Sequence, residues 1–281
     1  MKYTDLVNER LGKLLENSYP DVRNSCAEAV RYSISAGGKR LRPELLIEFC
    51  RAYGGDINNA IDPACALEMI HTFSLIHDDL PCMDNDEMRR GKPSCHIAYG
   101  ESTALLAGVA LENEAYRIIA DHVADPAIGI KLISCLSEYV SLDGMIGGQV
   151  IDTVSDDLLD EEKLLYMYSL KTSALFCAAC EMGCICAGAP VETAHEYALS
   201  LGLAFQLIDD ILDLTGDEKL LGKPVKSDIE QDKKTYPILF GIDRAREKAR
   251  EMTEKALKAT EHIPDNEYIT ELTKKLLNRE Y

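Results

Sequence analysis

The chain has 281 residues, enough to bury a large core in one domain or two. Its 48 acidic side chains outnumber its 30 basic ones, and the formal net charge of −18 argues against nucleic acid or an anionic membrane as the main partner. The first residues are polar and show no signal-peptide pattern, and no stretch reaches the ~20 unbroken apolar residues of a membrane span. With ten cysteines, this pattern predicts reduced thiols in a cytoplasmic protein.

Apolar residues recur at helical spacing along most of the chain, and strand alternation is nearly absent. The first half predicts helices at Tyr3–Glu16, Asp21–Ser35, Glu44–Tyr53, Asn58–Asp79, Glu101–Val123 and Asp125–Val140. The second half predicts helices at Leu142–Val154, Asp160–Ala187 with an interruption, Glu192–Thr215, Pro237–Glu261 and Asn266–Arg279, with a polar loop at Gly222–Tyr236. Because no linker rich in Pro, Ser or Gly divides them, we predict one all-α domain over residues 1–281, a bundle of ten or more helices.

The segment Ile76–Pro93 concentrates charge. Five carboxylates fall within ten residues and three cations follow them, at Asp78, Asp79, Asp84, Asp86, Glu87, Arg89, Arg90 and Lys92. Carboxylates this close repel one another unless a cation lies among them, and hard oxygen ligands suit Mg²⁺, which often shares its shell with substrate phosphates. Guanidinium and ammonium groups suit the remaining phosphate oxygens. A solvated charge run is the alternative. Pro81 predicts that the helix ends near it, so that Asp84 comes from a turn.

The same arrangement recurs at Ile208–Pro224. It repeats the aspartate pair, the later Asp-Glu pair and the Gly-Lys-Pro at the same offset from the first aspartate, since 91 − 78 = 13 and 222 − 209 = 13. Here Asp209 and Asp213 lie at i and i+4 on one helical face, with Asp210 beside them. Two such segments facing each other would hold several metal ions between acidic walls.

Cations elsewhere in the chain can hold a second anion. The segment Gly37–Pro43 places three cations, Lys39, Arg40 and Arg42, beside a glycine pair whose backbone can approach a ligand, although an exposed basic turn has the same pattern. His71 precedes Asp78 by seven residues and shares its helical face, where a packing histidine is the alternative. More cations follow at Lys171, Lys223, Lys226, Lys233 and Lys234. These groups suffice for two diphosphates, one bound through metal and one directly.

Taken in order, the motifs resemble a known family. They are GGKRLRP at 37–43, DDLPCMD at 78–84 followed by RRGKP, GGQ at 147–149 with Asp152, Lys171-Thr172, and FQLIDDILD at 205–213 followed by GKP. This set closely resembles the trans-isoprenyl diphosphate synthases, and most of all their bacterial farnesyl type, from about Gly37 to Pro237. The resemblance implies the isoprenoid synthase fold, an all-α bundle around a central cavity, in a homodimer that binds three Mg²⁺ ions.

The resemblance also implies roles for individual residues. The metal ligands would be Asp78, Asp79, Asp84, Asp209, Asp210 and Asp213. Isopentenyl diphosphate would be bound by Lys39, Arg42, His71 and Arg90. The allylic diphosphate would be bound by Arg89, Lys171, Thr172, Gln206, Lys223 and Lys233. Of the residues that bind the allylic diphosphate, Lys171, Thr172 and Gln206 would act closest to the developing cation. Gln149 and Asp152 belong to the GGQ segment, which would support the site.

The resemblance places a chain-length pocket beneath the first acidic motif. An aromatic residue five positions before Asp78, here Phe73, would form its floor and stop growth at farnesyl diphosphate, with geranylgeranyl diphosphate as the alternative product. Helical geometry alone puts Ser74 nearer the face of Asp78, and a core role for Phe73 is the alternative. Other functions left open are a terpene cyclase, a non-catalytic partner subunit and a Ca²⁺-binding protein. A cyclase needs no second diphosphate site, a partner subunit could lose aspartates that are intact here, and a Ca²⁺-binding protein would not explain the paired Gly-Lys-Pro segments.

The remaining candidates favour structural roles. Cys177, Cys180 and Cys184 follow helical spacing, so we predict a buried stripe rather than a zinc site. His77 and His96 flank the acidic motif, where packing histidines are also the prediction.

Overall fold

The computed structural model describes residues 2–154, 160–215 and 234–277, and helices make up most of them. The first half contains α1 (Thr4–Leu14), α2 (Arg23–Ser35), α3 (Leu41–Ala52), α4 (Asn58–Asp78), α5 (Cys95–Tyr99), α6 (Glu101–His122) and α7 (Pro126–Val140). The second half contains α8 (Met145–Val154), α9 (Glu161–Tyr168), a π-helix (Ser169–Ser173), α10 (Ala174–Ala187), α11 (Glu192–Thr215), α12 (Tyr236–Phe240), α13 (Ile242–Thr260) and α14 (Glu267–Leu277). The predicted all-α class is confirmed.

Helix starts follow local chemistry. Oδ1 of Asp125 accepts the amide hydrogen of Ala127 (2.8 Å), and Pro126 fills the first turn of α7, where its missing donor costs nothing. Asp160 caps α9 in the same way. The boundary predictions are close, and α4 ends one residue earlier than predicted.

Two local features differ from the predictions, and a third gives a predicted interruption its form. Residues 88–93 form a hairpin of two short strands, β1 (Met88–Arg89) and β2 (Lys92–Pro93), paired antiparallel. The predicted helix Pro237–Glu261 is divided at Gly241, whose φ of +88° only glycine adopts readily. The interruption predicted within Asp160–Ala187 is the π-helix. Most of the predicted polar loop Gly222–Tyr236 lies outside the described residues.

α4 and α10 form the centre of the core, and the neighbouring helices enclose them. α4 packs against α3 and α6, and α10 packs against α3, α7 and α11. The stripe formed by Cys177, Cys180 and Cys184 is buried, as predicted, and all ten cysteines are free thiols.

One helical run, Glu161–Ala187, is the only one in the described residues long and apolar enough to cross a membrane, and 67% of its most apolar window is buried in the fold. It includes α10, whose buried side chains form the centre of the bundle. A core helix of a globular fold passes the same test of length and composition.

Candidate active site

The first acidic motif begins at the last turn of α4. Asp78 is the final helical residue and Asp79 follows it, while a turn brings Asp84 back so that its N–H donates to the Asp78 carbonyl (2.8 Å). The predicted turn at Asp84 is therefore present. Burial raises the pKa of Asp78 to about 6, opposed by Lys171 and reinforced by Asp84 and Asp79. A cation beside these carboxylates would relieve that cost.

Arg89 on β1 turns back to the same motif. Its Nε donates to Oδ1 of Asp79 (2.9 Å), its Nη2 forms a second bond to that oxygen, and its Nη2 lies 3.4 Å from Oδ2 of Asp86. Asp79 is 2% exposed, and burial raises its pKa although Arg89 acts in the opposite direction. The hairpin therefore carries a cation to the base of the acidic motif.

Arg90 turns the other way, towards the glycine pair. Its Nη1 donates to the carbonyl of Gly37, and a Cβ at Gly38 would lie 2.8 Å from its guanidinium carbon. Both glycines have positive φ, +88° and +136°. Glycine is needed here for the turn and for this approach, because a side chain would displace Arg90.

The basic segment after the glycines is anchored by a buried ion pair. Arg40 has a left-handed φ of +49° and is 4% exposed. Its guanidinium donates to Glu68 on α4 (2.6 Å), to the carbonyl of Ile34 (2.6 Å) and to Asn8 (2.8 Å). Three elements thus hold the residue between Lys39 and the start of α3. The sequence assigned no ligand to Arg40. Nothing in the motif distinguishes this buried arginine from Lys39 and Arg42.

Arg42 lies on the cavity side of α3. Its guanidinium carbon stacks 4.6 Å above the ring centre of Phe176, and its Nε is buried without a hydrogen-bond partner. Burial lowers the pKa of Arg42 to about 10, still well above neutrality. Burial and the nearby arginines lower the pKa of His71 well below its usual 6.5. A charged guanidinium and a neutral imidazole therefore line the same cavity. Lys39 is exposed.

Lys171 and Thr172 lie in the π-helix, between two helices that approach through glycines. A Cβ at Gly148 on α8 would overlap the Lys171 backbone, and one at Gly202 on α11 would lie 2.5 Å from Oγ of Ser173. π-helical turns are frequent at functional sites because they re-aim side chains within a helix. Nζ of Lys171 donates to Asp152, and although burial disfavours its charge, Asp152 and Asp78 raise the pKa of Lys171.

A chain of hydrogen bonds crosses from the π-helix to the second acidic motif. Oγ1 of Thr172 donates to Oε1 of Gln206 (2.7 Å), and Nε2 of Gln206 donates to Oδ1 of Asp210 (2.7 Å). The hydroxyl of Tyr168 donates to the other Asp210 oxygen and accepts the N–H of Tyr236 (3.0 Å). Asp210 is thus held on both oxygens. Tyr168 was not predicted as a site residue, because its contacts are all distant in sequence.

Two cavities meet at this point. An apolar cavity of about 480 Å³ is lined by Phe73, Ser74 and Asp78 on α4, by Arg42 and His71, by α8 side chains including Gln149, and by Lys171 and Thr172. A polar cavity of about 180 Å³ is lined by Asp209, Asp210, Asp152, Tyr168, Gln206 and Lys234, and again by Lys171 and Thr172. Both predicted pocket residues therefore lie on the apolar wall. Ser74 donates its hydroxyl to its own helix (2.9 Å).

The carboxylates suit a hard divalent cation, although no group of three or more His, Cys, Asp and Glu side chains in the described ranges is arranged to hold a metal ion. The two motifs contribute only oxygen donors, the kind that Mg²⁺ prefers, and Asp78 lies where burial disfavours its uncompensated charge. Asp209 lines the polar cavity, and Asp213, one turn on, is buried. The predicted ligands Lys223 and Lys233 lie outside the described residues.

A helical bundle in which one acidic segment lines an apolar cavity and the other lines an adjoining polar cavity, with separate cations nearby, suits substrates that join an apolar tail to a diphosphate. The sequence model described as polyprenyl synthetase matches residues 23–274. The chain therefore belongs to the polyprenyl synthetase family, a family of prenyltransferases.

Individual relatives agree with this assignment. The chain is 42% identical over 259 residues to a geranylgeranyl diphosphate synthase of Cyanophora paradoxa, covering 90% of this chain and 85% of the relative. It is 43% identical over 235 residues to a farnesyl diphosphate synthase of Bacillus subtilis, covering 81% and 79%. A crystal structure of geranyltransferase from Helicobacter pylori, complexed with magnesium and isoprenyl diphosphate, superposes with a TM-score of 0.84 at 30% identity, covering 99% of this chain and 96% of that one.

Proposed function

We propose that this chain condenses isopentenyl diphosphate with dimethylallyl or geranyl diphosphate to give farnesyl diphosphate, with Mg²⁺ as cofactor. The observation that carries the proposal is the junction of the two cavities at Lys171 and Thr172. A substrate with a charged head and an isoprenoid tail fits this junction, with its head towards the carboxylates and its tail in the apolar space.

The charged head of the allylic substrate is assigned to the acidic motifs. Three Mg²⁺ ions held by Asp78, Asp79, Asp84, Asp209, Asp210 and Asp213 would neutralise the departing diphosphate when bound. Arg89 and Lys171 would add fixed positive charge beside the oxygens of the departing diphosphate, and so would the predicted Lys223 and Lys233. Preorganised charge of this kind stabilises a leaving group as its negative charge develops.

The second diphosphate is assigned to Arg42, Arg90, His71 and Lys39. Support comes from the buried Nε of Arg42, which has no hydrogen-bond partner and so favours an anion at this place. Arg42 is also oriented by its stack on Phe176. A neutral His71 can donate one hydrogen bond without adding charge.

The reaction then follows from this arrangement. The allylic C–O bond breaks and its electron pair leaves with the diphosphate. The double bond of isopentenyl diphosphate attacks the resulting cation, forming a C–C bond, and a proton passes to the released diphosphate. Oxygen dipoles of Thr172 and Gln206 lie near the cavity junction, and the apolar wall keeps water from the cation.

Farnesyl diphosphate is the proposed product because Phe73, a large ring five residues before Asp78, lines the apolar wall. Geranylgeranyl diphosphate is the second candidate. It is favoured by the small Ser74 beside that ring and by the relative named for that product.

We further propose a homodimer. Large apolar side chains are exposed on one succession of helices, α5 to α7, at Ile97, Leu105, Leu106, Val109 and Ile130. Apolar groups clustered on a surface are typical of protein contacts. Light scattering after gel filtration measures the mass, and a mass of one chain at micromolar concentration would contradict the proposal.

One assay tests the activity. The protein is incubated with Mg²⁺, dimethylallyl diphosphate and isopentenyl diphosphate, and the products are separated by chain length. We expect farnesyl diphosphate, no product with EDTA, and recovery on adding excess Mg²⁺. An Asp78→Asn variant serves as the matched inactive control, since it keeps the side-chain shape and removes the charge. Absence of any condensation product would overturn the proposal.

A further inference from the structure

His77 connects the proposed pocket floor to a neighbouring helix. It lies one turn after Phe73 on α4, and the two rings meet edge to face with centroids 5.4 Å apart and planes at 80°. Both rings line the apolar cavity. Nε2 of His77 lies 3.1 Å from the carbonyl oxygen of Leu105 on α6. Because a carbonyl oxygen only accepts, Nε2 carries the hydrogen and donates it.

Gly108 makes the space that this ring occupies. A Cβ at position 108 would overlap Nε2 of His77 and would lie 3.0 Å from Cε1. Gly108 is three residues after Leu105, so the acceptor and the gap lie on one face of α6. Glycine inside a helix is less stabilising than alanine. The close approach of the ring accounts for its use here.

We propose that His77, seated against Gly108, is a positioning residue that holds Phe73 against the cavity and so sets product chain length. The inference rests on the proposed function. Edge-to-face aromatic contact favours one orientation of the Phe73 ring, and the bond to Leu105 fixes the ring that imposes it. A growing isoprenoid chain must displace both rings together to extend past them.

Substitutions at the two positions are expected to shift the product in opposite directions. His77→Ala frees the Phe73 ring and widens the cavity, raising the ratio of C20 to C15 product at least tenfold. His77→Gln keeps an amide donor within reach of the Leu105 carbonyl, so its ratio should stay closer to that of the unmodified chain. Gly108→Ala pushes the His77 ring into the cavity and should raise the C10 share. The double variant His77→Ala, Gly108→Ala should again make long product.

Gly129→Ala on α7 is the matched control, because its Cβ would meet its nearest neighbour at an ordinary 3.7 Å. Its product ratio should not change. If Gly108→Ala does not fold, the His77→Ala and His77→Gln pair carries the test. If the His77 variants are active and keep the same ratio of C20 to C15 product, the role of His77 is overturned while the proposed function stands. Shifts of the same sign at positions 77 and 108 would have the same consequence. An unmodified chain that condenses nothing would overturn the proposed function and this inference with it.

Discussion

Gly148 lies so close to Lys171 that a Cβ at position 148 would overlap the backbone nitrogen of the lysine. Gly148→Ala must therefore move the π-helix that carries Lys171. A displacement of about 1 Å in a catalytic group can lower the rate about 100-fold, so we expect kcat to fall by about that factor. Gly12→Ala on α1 is the control, because nothing lies within 4 Å of its added Cβ. Steady-state kinetics measure both, and a kcat within threefold of the unmodified chain would contradict the expectation.

The ion pair between Arg40 and Glu68 is buried on both sides, with side chains 3% and 2% exposed. Glu68→Ala leaves a buried guanidinium without its counter-charge, which typically costs about 3–5 kcal/mol. Urea denaturation measures this loss in the free energy of unfolding. Lys13→Ala, which removes the exposed pair with Glu9, is the control and should change stability far less, because water and salt screen exposed pairs. If both variants lowered the free energy of unfolding equally, the buried pair would contribute no more to stability than the exposed pair.

Tyr168 holds one oxygen of Asp210 through its hydroxyl. Outer groups that orient metal ligands commonly change metal affinity 10- to 100-fold when removed. Tyr168→Phe should therefore raise the Mg²⁺ concentration for half-maximal activity about tenfold or more. Tyr166→Phe is the neighbouring control, since Tyr166 is 57% exposed. Activity is titrated with Mg²⁺ at saturating substrate, and matching curves for both variants would remove Tyr168 from this role.

Phe73 should limit chain length because its ring lines the apolar cavity. Phe73→Ala opens space beneath the tail of the growing product, so products of C20 or longer are expected. Leu67→Ala, a fully buried change on the same helix that does not line this cavity, controls for loss of core packing. An unchanged product spectrum with Phe73→Ala would assign this residue to the core alone.

The pH dependence of stability should reflect His195. Its Nδ1 lies 2.9 Å from Oε1 of Glu181, and this bond raises the pKa of His195 above its usual 6.5. A raised pKa means that the folded state favours the imidazolium. The stabilisation is therefore fully present below pH 6.5 and is lost as the pH rises through the folded-state pKa. His195→Gln should cost more stability at pH 5.5 than at pH 8.5, and Glu181→Gln should abolish that difference. Denaturation midpoints at the two pH values measure it.

The sequence predicted those elements whose apolar spacing is long and regular. α4 was predicted within one residue of its end for a different reason, because its 21 residues form a long, mostly apolar run and Pro81 follows it. The five-residue α5 and the two-residue strands are too short for any period to show. The interruption within Asp160–Ala187 was predicted, but its π-helical form was not. The residues that approach it closely, Gly148 and Gly202, are distant in sequence.

The site was predictable where chemistry is concentrated in short motifs. Asp78 and Lys171 can be recognised from their residue types and their neighbours in the sequence, and both line the apolar cavity. The importance of Arg40, Tyr168 and His77 could not be recognised, because it comes from partners distant in sequence, among them Glu68, Asp210 and Leu105. Such pairings join separate helices, and one sequence carries no direct signal of them.

The hairpin at residues 88–93 divides two adjacent arginines between two destinations, Arg89 to Asp79 and Arg90 to Gly37. Arg89 is the last residue of β1, and Arg90 lies in the two-residue turn with a left-handed φ of +54°, so the turn is what separates the two side chains. Inserting or deleting one residue in this turn would change the direction of Arg90 relative to Arg89. The length of this loop is therefore constrained although its side chains at Met88 and Lys92 are exposed.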